Sequence, residues 1–196
     1  MSIAIIDYHT GNIQSVLFAL ERMGQSAFLS NKASEIQSAD KVIFPGVGEA
    51  SSTMNYLKEL GLDEVIPQLQ QPVLGICLGM QLLCEYSEEN DTPCLGIIPL
   101  KVRRFVPQQG LHKVPHVGWN QIEFQDAVLF NNLADAAFVY FVHSYYVETG
   151  AYTIASCDYI HPFSAALQKD NFYATQFHPE KSGDIGAVIL ENFLAL

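Results

Sequence analysis

Hydrophobic and polar positions along the first 85 residues alternate between two periods. Short apolar runs predict buried strands, and apolar residues at three- and four-residue spacing predict helices. The predicted strands cover residues 2–7, 27–29, 41–44 and 73–76. The predicted helices cover residues 13–23, 52–60, 62–69 and 78–85. This alternation of strand and helix predicts an α/β fold with a mostly parallel sheet covered by helices on both faces.

The pattern changes after residue 95, where helical periodicity largely disappears. Further strand-like runs follow at residues 101–105, 119–124, 138–142, 152–157, 164–168 and 172–177. They are consistent with antiparallel strands added to the sheet or with a small flap over one end. A last helix is predicted over residues 184–194. Because there is no repeat or linker, residues 1–196 are predicted to form one domain.

Composition narrows the class of protein. The chain has 196 residues, of which 49% are hydrophobic and 16% charged, and this favours a large buried core over disorder. A net charge of -11 argues against nucleic acid or an anionic membrane as a partner. No apolar run reaches the length of a membrane span, and the first residues do not resemble a signal peptide.

The four cysteines are spaced for neither a metal site nor a disulfide framework. No two of them form a Cys-x-x-Cys pair, and no histidines have the spacing of zinc ligands. We therefore expect no metal, no cofactor and a reducing, cytoplasmic compartment. Cys84 is expected to lie in the core, on the helix that begins after Cys77.

Cys77 lies where the strand period changes to the helix period. Gly75 and Gly79 flank it two residues away on either side, as in the Gly-x-Ser-x-Gly turn that exposes a nucleophile above a sheet. The start of a helix also favours a thiolate. This pattern predicts a nucleophilic thiol, and a buried structural cysteine is the alternative.

His178 and Glu180 provide the best candidates for a base and the group that orients it. Pro179 disfavours helix at the residue before it, so His178 should be extended. Residues two apart in an extended segment point to the same face, which places Glu180 beside His178. With Cys77 they would form a Cys-His-Glu triad. A His-Pro turn with a solvated glutamate is the alternative.

Three further features would complete such a site. The N–H of Leu78 and a second N–H from the Pro45-Gly46-Val47-Gly48 loop could hold an oxyanion, although that loop could equally be a plain turn. Gln81, one helical turn after Cys77, could reach back over the nucleophile. The surroundings of His116 and His143 are apolar and aromatic, which indicates buried, hydrogen-bonded histidines rather than catalysts.

Three stretches together resemble the signatures of class I glutamine amidotransferases. They are Pro45-Gly46-Val47-Gly48, Gly75-Ile76-Cys77-Leu78-Gly79-Met80-Gln81 and Phe177-His178-Pro179-Glu180-Lys181-Ser182. Two others are similar to the glutaminase subunits of imidazole glycerol phosphate synthases: Pro115-His116-Val117-Gly118-Trp119-Asn120 and Tyr140-Phe141-Val142-His143-Ser144-Tyr145. The sequence departs from the family pattern after Gly48, where Glu49-Ala50-Ser51 replaces a small residue followed by Phe.

The resemblance implies a flavodoxin-like, three-layer α/β/α domain that hydrolyses L-glutamine to glutamate and ammonia. It implies a heterodimer with a separate cyclase subunit, a (β/α)8 barrel, that uses the ammonia to make imidazole glycerol phosphate and aminoimidazole carboxamide ribotide. It also implies that Val47 and Leu78 form the oxyanion hole. By motif position, the glutamine-binding residues are Gly46, Gly48, Gln81, Glu89, Ser144 and Tyr145. The residues similar to partner-interface positions are Asn12, Trp119 and Lys181; Trp119 could also be an ordinary core residue.

Three other interpretations compete with this one. The chain could be another class I glutaminase, such as one that feeds pyridoxal phosphate synthesis, but the stretches around Trp119 and Ser144 argue against it. A non-catalytic binding domain on the same fold has no need of a nucleophile. A cysteine peptidase on a related fold would not explain Gly79-Met80-Gln81 or the Pro-Gly-Val-Gly loop.

Overall fold

A computed structural model describes residues 1–8, 13–108, 112–134 and 137–196. Asn12, predicted at the partner interface, lies outside these residues. The helices are α1 (Ile13–Arg22), α2 (Ala33–Ser38), α3 (Ala50–Glu59), α4 (Leu62–Val65), α5 (Leu78–Leu83) and α6 (Gly183–Leu194). Short 3₁₀ turns cover Ile66–Gln68, Val128–Phe130 and Pro179–Lys181.

The strands of the first half are β1 (Ile3–Ile6), β2 (Ala27–Ser30), β3 (Lys41–Phe44), β4 (Val73–Ile76), β5 (Cys84–Ser87) and β6 (Thr92–Pro93). Those of the second half are β7 (Ile98–Arg104), β8 (His116–Phe124), β9 (Ala137–His143), β10 (Tyr145–Val147), β11 (Thr153–Asp158), β12 (Pro162–Lys169) and β13 (Phe172–Thr175).

The sheet is parallel at its centre and becomes mixed on one side. Its main order is β2-β1-β3-β4-β13-β12-β10-β7-β5-β6, and the part from β2 to β13 is parallel throughout. Most of the later strands join as antiparallel neighbours, as one of the two interpretations of the pattern predicted. The β8–β9 hairpin extends from this sheet through β11.

Two hydrophobic cores lie on opposite faces of the sheet, so the predicted three-layer α/β/α arrangement is confirmed. Alternate residues of β1 divide between them: Ile3 and Ile5 pack with α1 and α6, whereas Ala4 and Ile6 pack with α2 to α5. This division follows from the two-residue period of a strand that is buried on both faces.

The prediction that the helix after Cys77 continues to residue 85 is wrong. Helix α5 ends at Leu83, and Cys84 begins strand β5, which pairs with β7. The Gly96 N–H donates to the Cys84 carbonyl at 2.8 Å, so long-range pairing overrides the local helical spacing. The expectation that Cys84 is buried is confirmed.

Within the described residues, no helix combines the length and apolar character needed to cross a membrane. No group of three or more His, Cys, Asp or Glu side chains in this part of the chain could hold a metal ion.

Candidate active site

Cys77 occupies the sharp turn between β4 and α5. Its backbone has φ 53° and ψ -106°, a conformation that L-residues seldom adopt outside strained functional turns. The two flanking glycines are required by contact: a Cβ on Gly79 would overlap the Phe44 carbonyl oxygen, and one on Gly75 would lie 2.9 Å from a Leu83 methyl carbon. The predicted nucleophile turn is therefore present in its backbone geometry.

The chain beyond β13 brings His178 to the same sheet edge as Cys77. Strands β4 and β13 are parallel neighbours, and the Cys77 N–H donates to the Thr175 carbonyl at 2.7 Å. His178 is extended, with φ -98° and ψ 97°, as Pro179 predicted. The His178 N–H donates to the Tyr140 carbonyl at 2.9 Å, and the Ser182 hydroxyl donates to the His178 carbonyl at 2.7 Å.

His178 and Glu180 form a buried pair. Nδ1 of His178 lies 2.7 Å from Oε1 of Glu180, and their side chains are 1% and 0% exposed. Burial opposes protonation of His178, but the charge and hydrogen bonding of Cys77, followed by those of Glu180, raise its pKa to about 10. The arrangement therefore favours the imidazolium form of His178.

A cavity of about 330 Å³ opens above Cys77. Of the residues predicted to bind glutamine, Gly48, Gln81, Glu89, Ser144 and Tyr145 line it, together with Val47 and Leu78 of the predicted oxyanion hole. Pro115, Val142 and His143 also line it and were not predicted as site residues. Gly46 is buried, and a Cβ there would overlap the Gly79 nitrogen.

The loop that should supply the second oxyanion donor is turned away from that role. The Gly46 carbonyl accepts from the Leu78 N–H at 3.4 Å. In a trans peptide the carbonyl and the next N–H point in opposite directions, so the Val47 N–H faces away from Leu78. The Tyr8 hydroxyl donates to the Pro45 carbonyl and supports this loop from the segment that follows β1.

The departure from the family pattern after Gly48 has a structural role. Glu49 caps α3 by accepting from the Ser51 and Ser52 N–H groups, each at 2.8 Å. Although burial opposes ionisation, these bonds lower the pKa of Glu49 to about 2. Glu89 accepts from the Ala50 N–H at 2.7 Å, so both carboxylates hold the first turn of α3 beside the cavity.

The two histidines expected to be buried form a hydrogen-bonded pair next to the cavity. Nδ1 of His143 lies 2.7 Å from the Tyr145 carbonyl oxygen, and its Nε2 lies 3.1 Å from Nδ1 of His116. Desolvation lowers the pKa of His116 to about 4 and that of His143 to about 3. Both are 5% exposed or less, so the expectation is confirmed.

Trp119 is exposed, which excludes the alternative of a core tryptophan. It lies on β8, 56% exposed, opposite Tyr140 of β9. Val117 and Phe138 on the same face of the hairpin are also exposed, at 56% and 49%. Lys181 is exposed, and the Trp119 ring approaches the position of a Cβ on Gly183 to 4.0 Å. Trp119 and the segment around Lys181 therefore belong to one surface.

Comparison with known proteins agrees with this geometry. The family model for glutamine amidotransferase class-I matches residues 4–196. The chain is 58% identical over 196 residues to imidazole glycerol phosphate synthase subunit HisH of Bacteroides thetaiotaomicron, covering 100% of both chains. It is 50% identical over 195 residues to subunit HisH 2 of Legionella pneumophila, covering 99% of this chain and 98% of the relative.

Solved structures share the fold at low sequence identity. A glutamine amidotransferase structure superposes with a TM-score of 0.73 at 18% identity, covering 97% of this chain and 98% of that chain. The PurLQS structure from Thermotoga maritima gives 0.72 at 16% identity, covering 99% and 97%. These matches confirm the flavodoxin-like α/β fold. The chain belongs to the class-I glutamine amidotransferase family and, within it, to the family of imidazole glycerol phosphate synthase subunit HisH.

Proposed function

We propose that this chain hydrolyses L-glutamine to glutamate and ammonia through a thioester on Cys77. The observation that carries the proposal is the combination of a buried His178–Glu180 pair with Cys77. Cys77 occupies the turn between β4 and α5 and lines the cavity. A cavity of about 330 Å³ suits a small ligand rather than a peptide. This favours a glutaminase over a cysteine peptidase.

The mechanism follows from the three side chains. The Cys77 sulfur attacks the amide carbon of glutamine, and the carbonyl oxygen becomes an oxyanion. His178 gives its proton to the leaving nitrogen, which departs as ammonia, and the thioester remains. His178 then takes a proton from the water that cleaves the thioester to glutamate. Glu180 holds the ring through Nδ1 and stabilises the imidazolium.

The glutamine-binding residues proposed from motif position surround this chemistry. Gly48, Gln81, Glu89, Ser144 and Tyr145 line the cavity. Gly46 instead packs beneath the start of α5, and its contribution is to let the loop approach Leu78 closely. No metal or cofactor is needed for any step of this hydrolysis.

The oxyanion hole requires a change in the Pro45–Gly48 loop. The Leu78 N–H is taken by the Gly46 carbonyl, and the Val47 N–H points away. Reorientation of the Gly46–Val47 peptide would release the first donor and supply the second. One oxyanion donor contributes about 100- to 1000-fold to the rate. We therefore propose low activity in this state and activation when a partner stabilises the other orientation.

The partner that we propose is a separate cyclase subunit with a (β/α)8 barrel fold, joined as a heterodimer. Trp119, Val117 and Phe138 form an exposed apolar face on the β8–β9 hairpin, and aromatic residues of this kind are enriched in interfaces. Lys181 borders this face; the interface role of Asn12 stays a prediction. The same hairpin contributes Val142 and His143 to the cavity, so docking there would act directly beside the catalytic centre.

A coupled pair of subunits has a physical advantage. Ammonia released to water near neutral pH is mostly protonated and loses its nucleophilicity, whereas a dry passage between subunits avoids this. The cyclase would use the ammonia to form imidazole glycerol phosphate and aminoimidazole carboxamide ribotide in histidine biosynthesis. We place the protein in the cytoplasm because its four cysteines are free. We propose one glutaminase domain because a single family model matches residues 4–196.

An electrophilic glutamine analogue, such as a diazo ketone of the L-amino acid, tests the glutaminase proposal. We expect it to modify Cys77 and to block glutamate release, with no modification of a Cys77→Ser variant. Cys94→Ser, which removes another cysteine with some exposure, should be labelled as the unmodified protein is. Absence of the label on Cys77 would contradict the proposal and would instead support a non-catalytic binding domain.

A further inference from the structure

The amide of Gln176 touches the nucleophile. Gln176 follows β13 and is fully buried, and its backbone N–H donates to the Ala165 carbonyl at 2.8 Å. Its side-chain Nε2 lies 3.7 Å from the Cys77 sulfur. Its Oε1 lies 3.0 Å from Nε2 of Gln81. Neither the triad nor the cavity lining includes this residue.

The direction of these hydrogen bonds is fixed from one end. The Tyr145 carbonyl can only accept, so Gln81, 3.0 Å away, must present its NH₂ group. The same NH₂ group donates to Gln176, which must therefore present Oε1 to Gln81 and its own NH₂ to Cys77. The Tyr145 carbonyl, three hydrogen bonds from the Cys77 sulfur, thus determines which end of the Gln176 amide faces that sulfur.

His143 and His116 continue this series beyond Tyr145. Because the Tyr145 carbonyl accepts, His143 carries its proton on Nδ1. Its Nε2 then accepts from Nδ1–H of His116. Each hydrogen bond in the series, from the hairpin to Cys77, therefore has a defined donor and acceptor, and such connected networks hold their side chains in place.

We propose that Gln176 is a further catalytic residue: its buried amide N–H stabilises the Cys77 thiolate, and Gln81 is the positioning residue that aims it. This inference rests on the proposed glutaminase function. When the sulfur loses its proton to His178, Gln176 donates to the charge that forms. The sulfur of the thiol form can instead donate to the Val142 carbonyl, 3.9 Å away.

The nitrogen and the oxygen of the Gln81 side-chain amide have different roles. Both of its N–H donors are used, one on Tyr145 and one on Gln176. This leaves the amide oxygen of Gln81 as the group that can accept from a bound ligand. Substrate contact and positioning of Gln176 are therefore compatible in the same residue.

The rate of alkylation of Cys77 by iodoacetamide, followed by peptide mass spectrometry, tests the inference without substrate. In Gln176→Met the rate at pH 7 should fall about tenfold, because a hydrogen bond to a charged group is lost. Gln176→Glu keeps an acceptor for Gln81 but sets a carboxylate against the sulfur, so its rate should fall further. In both variants the midpoint of the alkylation pH profile should move upward, although His178, the proton acceptor, is still present.

Thr175→Val is the matched control. Thr175 is also fully buried, precedes Gln176, and donates its hydroxyl to the Phe177 carbonyl at 3.0 Å. Its replacement should lower the Tm but leave the alkylation rate and its pH midpoint as in the unmodified protein. A merely structural role of Gln176 would give the same result as this control.

Both Gln176 variants reacting at the unmodified rate, with an unmoved pH midpoint, would overturn the inference. If Gln176→Met does not fold, Gln176→Glu decides, because it preserves side-chain size and the bond to Gln81. Failure of the glutamine analogue to label Cys77 would overturn the proposed function but not this inference. Iodoacetamide reacts with the Cys77 thiolate whether or not the site binds glutamine, so the two experiments can fail independently.

Discussion

Glu180 holds the His178 ring and adds charge that favours its imidazolium form. The two side chains are buried, with 2.7 Å between Nδ1 and Oε1. Glu180→Gln keeps the volume and an acceptor but removes the charge that stabilises the imidazolium. We expect kcat for glutamate release to fall about 100- to 10,000-fold. Glu191→Gln, an exposed change of the same type on α6, should retain the unmodified kcat; equal activity in both variants would contradict the assigned role of Glu180.

The buried pair His116 and His143 should make the free energy of unfolding depend on pH. Desolvation lowers their pKa values from 6.5 to about 4 and about 3, so between these values and 6.5 the unfolded state binds more protons than the folded state. Their stabilising contribution is complete above pH 6.5 and is lost as pH falls, down to about 4 for His116 and about 3 for His143. Each histidine adds at most about 1.4 kcal/mol per pH unit to the slope of the unfolding free energy.

Urea unfolding between pH 7 and pH 5 measures this effect. His116→Phe preserves the stacking on Tyr159 and Phe141 but removes one of the two titrating rings. Its unfolding free energy should fall less steeply with acid than that of the unmodified protein. The same slope in both proteins would show that His116 is not held neutral by the fold.

At the scale of elements, the contact between β3 and α5 fixes the nucleophile turn. A Cβ on Gly79 would overlap the Phe44 carbonyl oxygen, so Gly79→Ala must separate the two elements. We expect it to cost about 3 kcal/mol and to abolish activity. Gly24 has φ +70°, and apart from its chain neighbours no atom of the described residues lies within 4 Å of its Cβ position, so alanine there should cost only about 1 kcal/mol. Denaturant unfolding compares them; a smaller cost at Gly79 would refute this view of the turn.

The elements show which parts of the fold local sequence pattern can predict. The change of period at Cys77 and the constraint of Pro179 on His178 are local, and both were predicted correctly. Helix α2 and the strands β5, β6 and β10 were not predicted. They are short, and β5 exists because it pairs with β7, a contact that the pattern of residues 78–85 does not contain.

The site shows the same division. His178 and Glu180 are two residues apart, so an extended backbone alone places them together. Gln176 lies 99 residues from Cys77, and Gln81 lies 64 residues from Tyr145. No periodicity reports such contacts, and neither the role of Gln176 nor the resting orientation of the Gly46 carbonyl could be predicted from the sequence.

For the whole molecule, the exposed face of the β8–β9 hairpin predicts where the partner binds. Trp119→Ala should weaken binding of the cyclase subunit about 30-fold, because central aromatic residues dominate interface energies. The Tm of the isolated chain should change little, since Trp119 is 56% exposed. Isothermal titration calorimetry measures the affinity.

Phe28→Ala on β2, the strand at one end of the main strand order, is the control for this prediction. Phe28 is 37% exposed, so the variant loses exposed aromatic surface away from the hairpin. We expect its affinity for the cyclase subunit to equal that of the unmodified chain. Equal affinities for Trp119→Ala and the unmodified chain would exclude the hairpin face as the docking surface.

Glutamate release from glutamine, measured for the isolated chain and again with the cyclase subunit and its ribotide ligand, tests the central claim most directly. Because the Gly46 carbonyl occupies the Leu78 N–H in this state, the isolated chain should be slower by about 100-fold or more. Activation by the cyclase subunit would support both the chemistry and the partner. Equal rates with and without the partner would contradict the account of the unformed oxyanion hole.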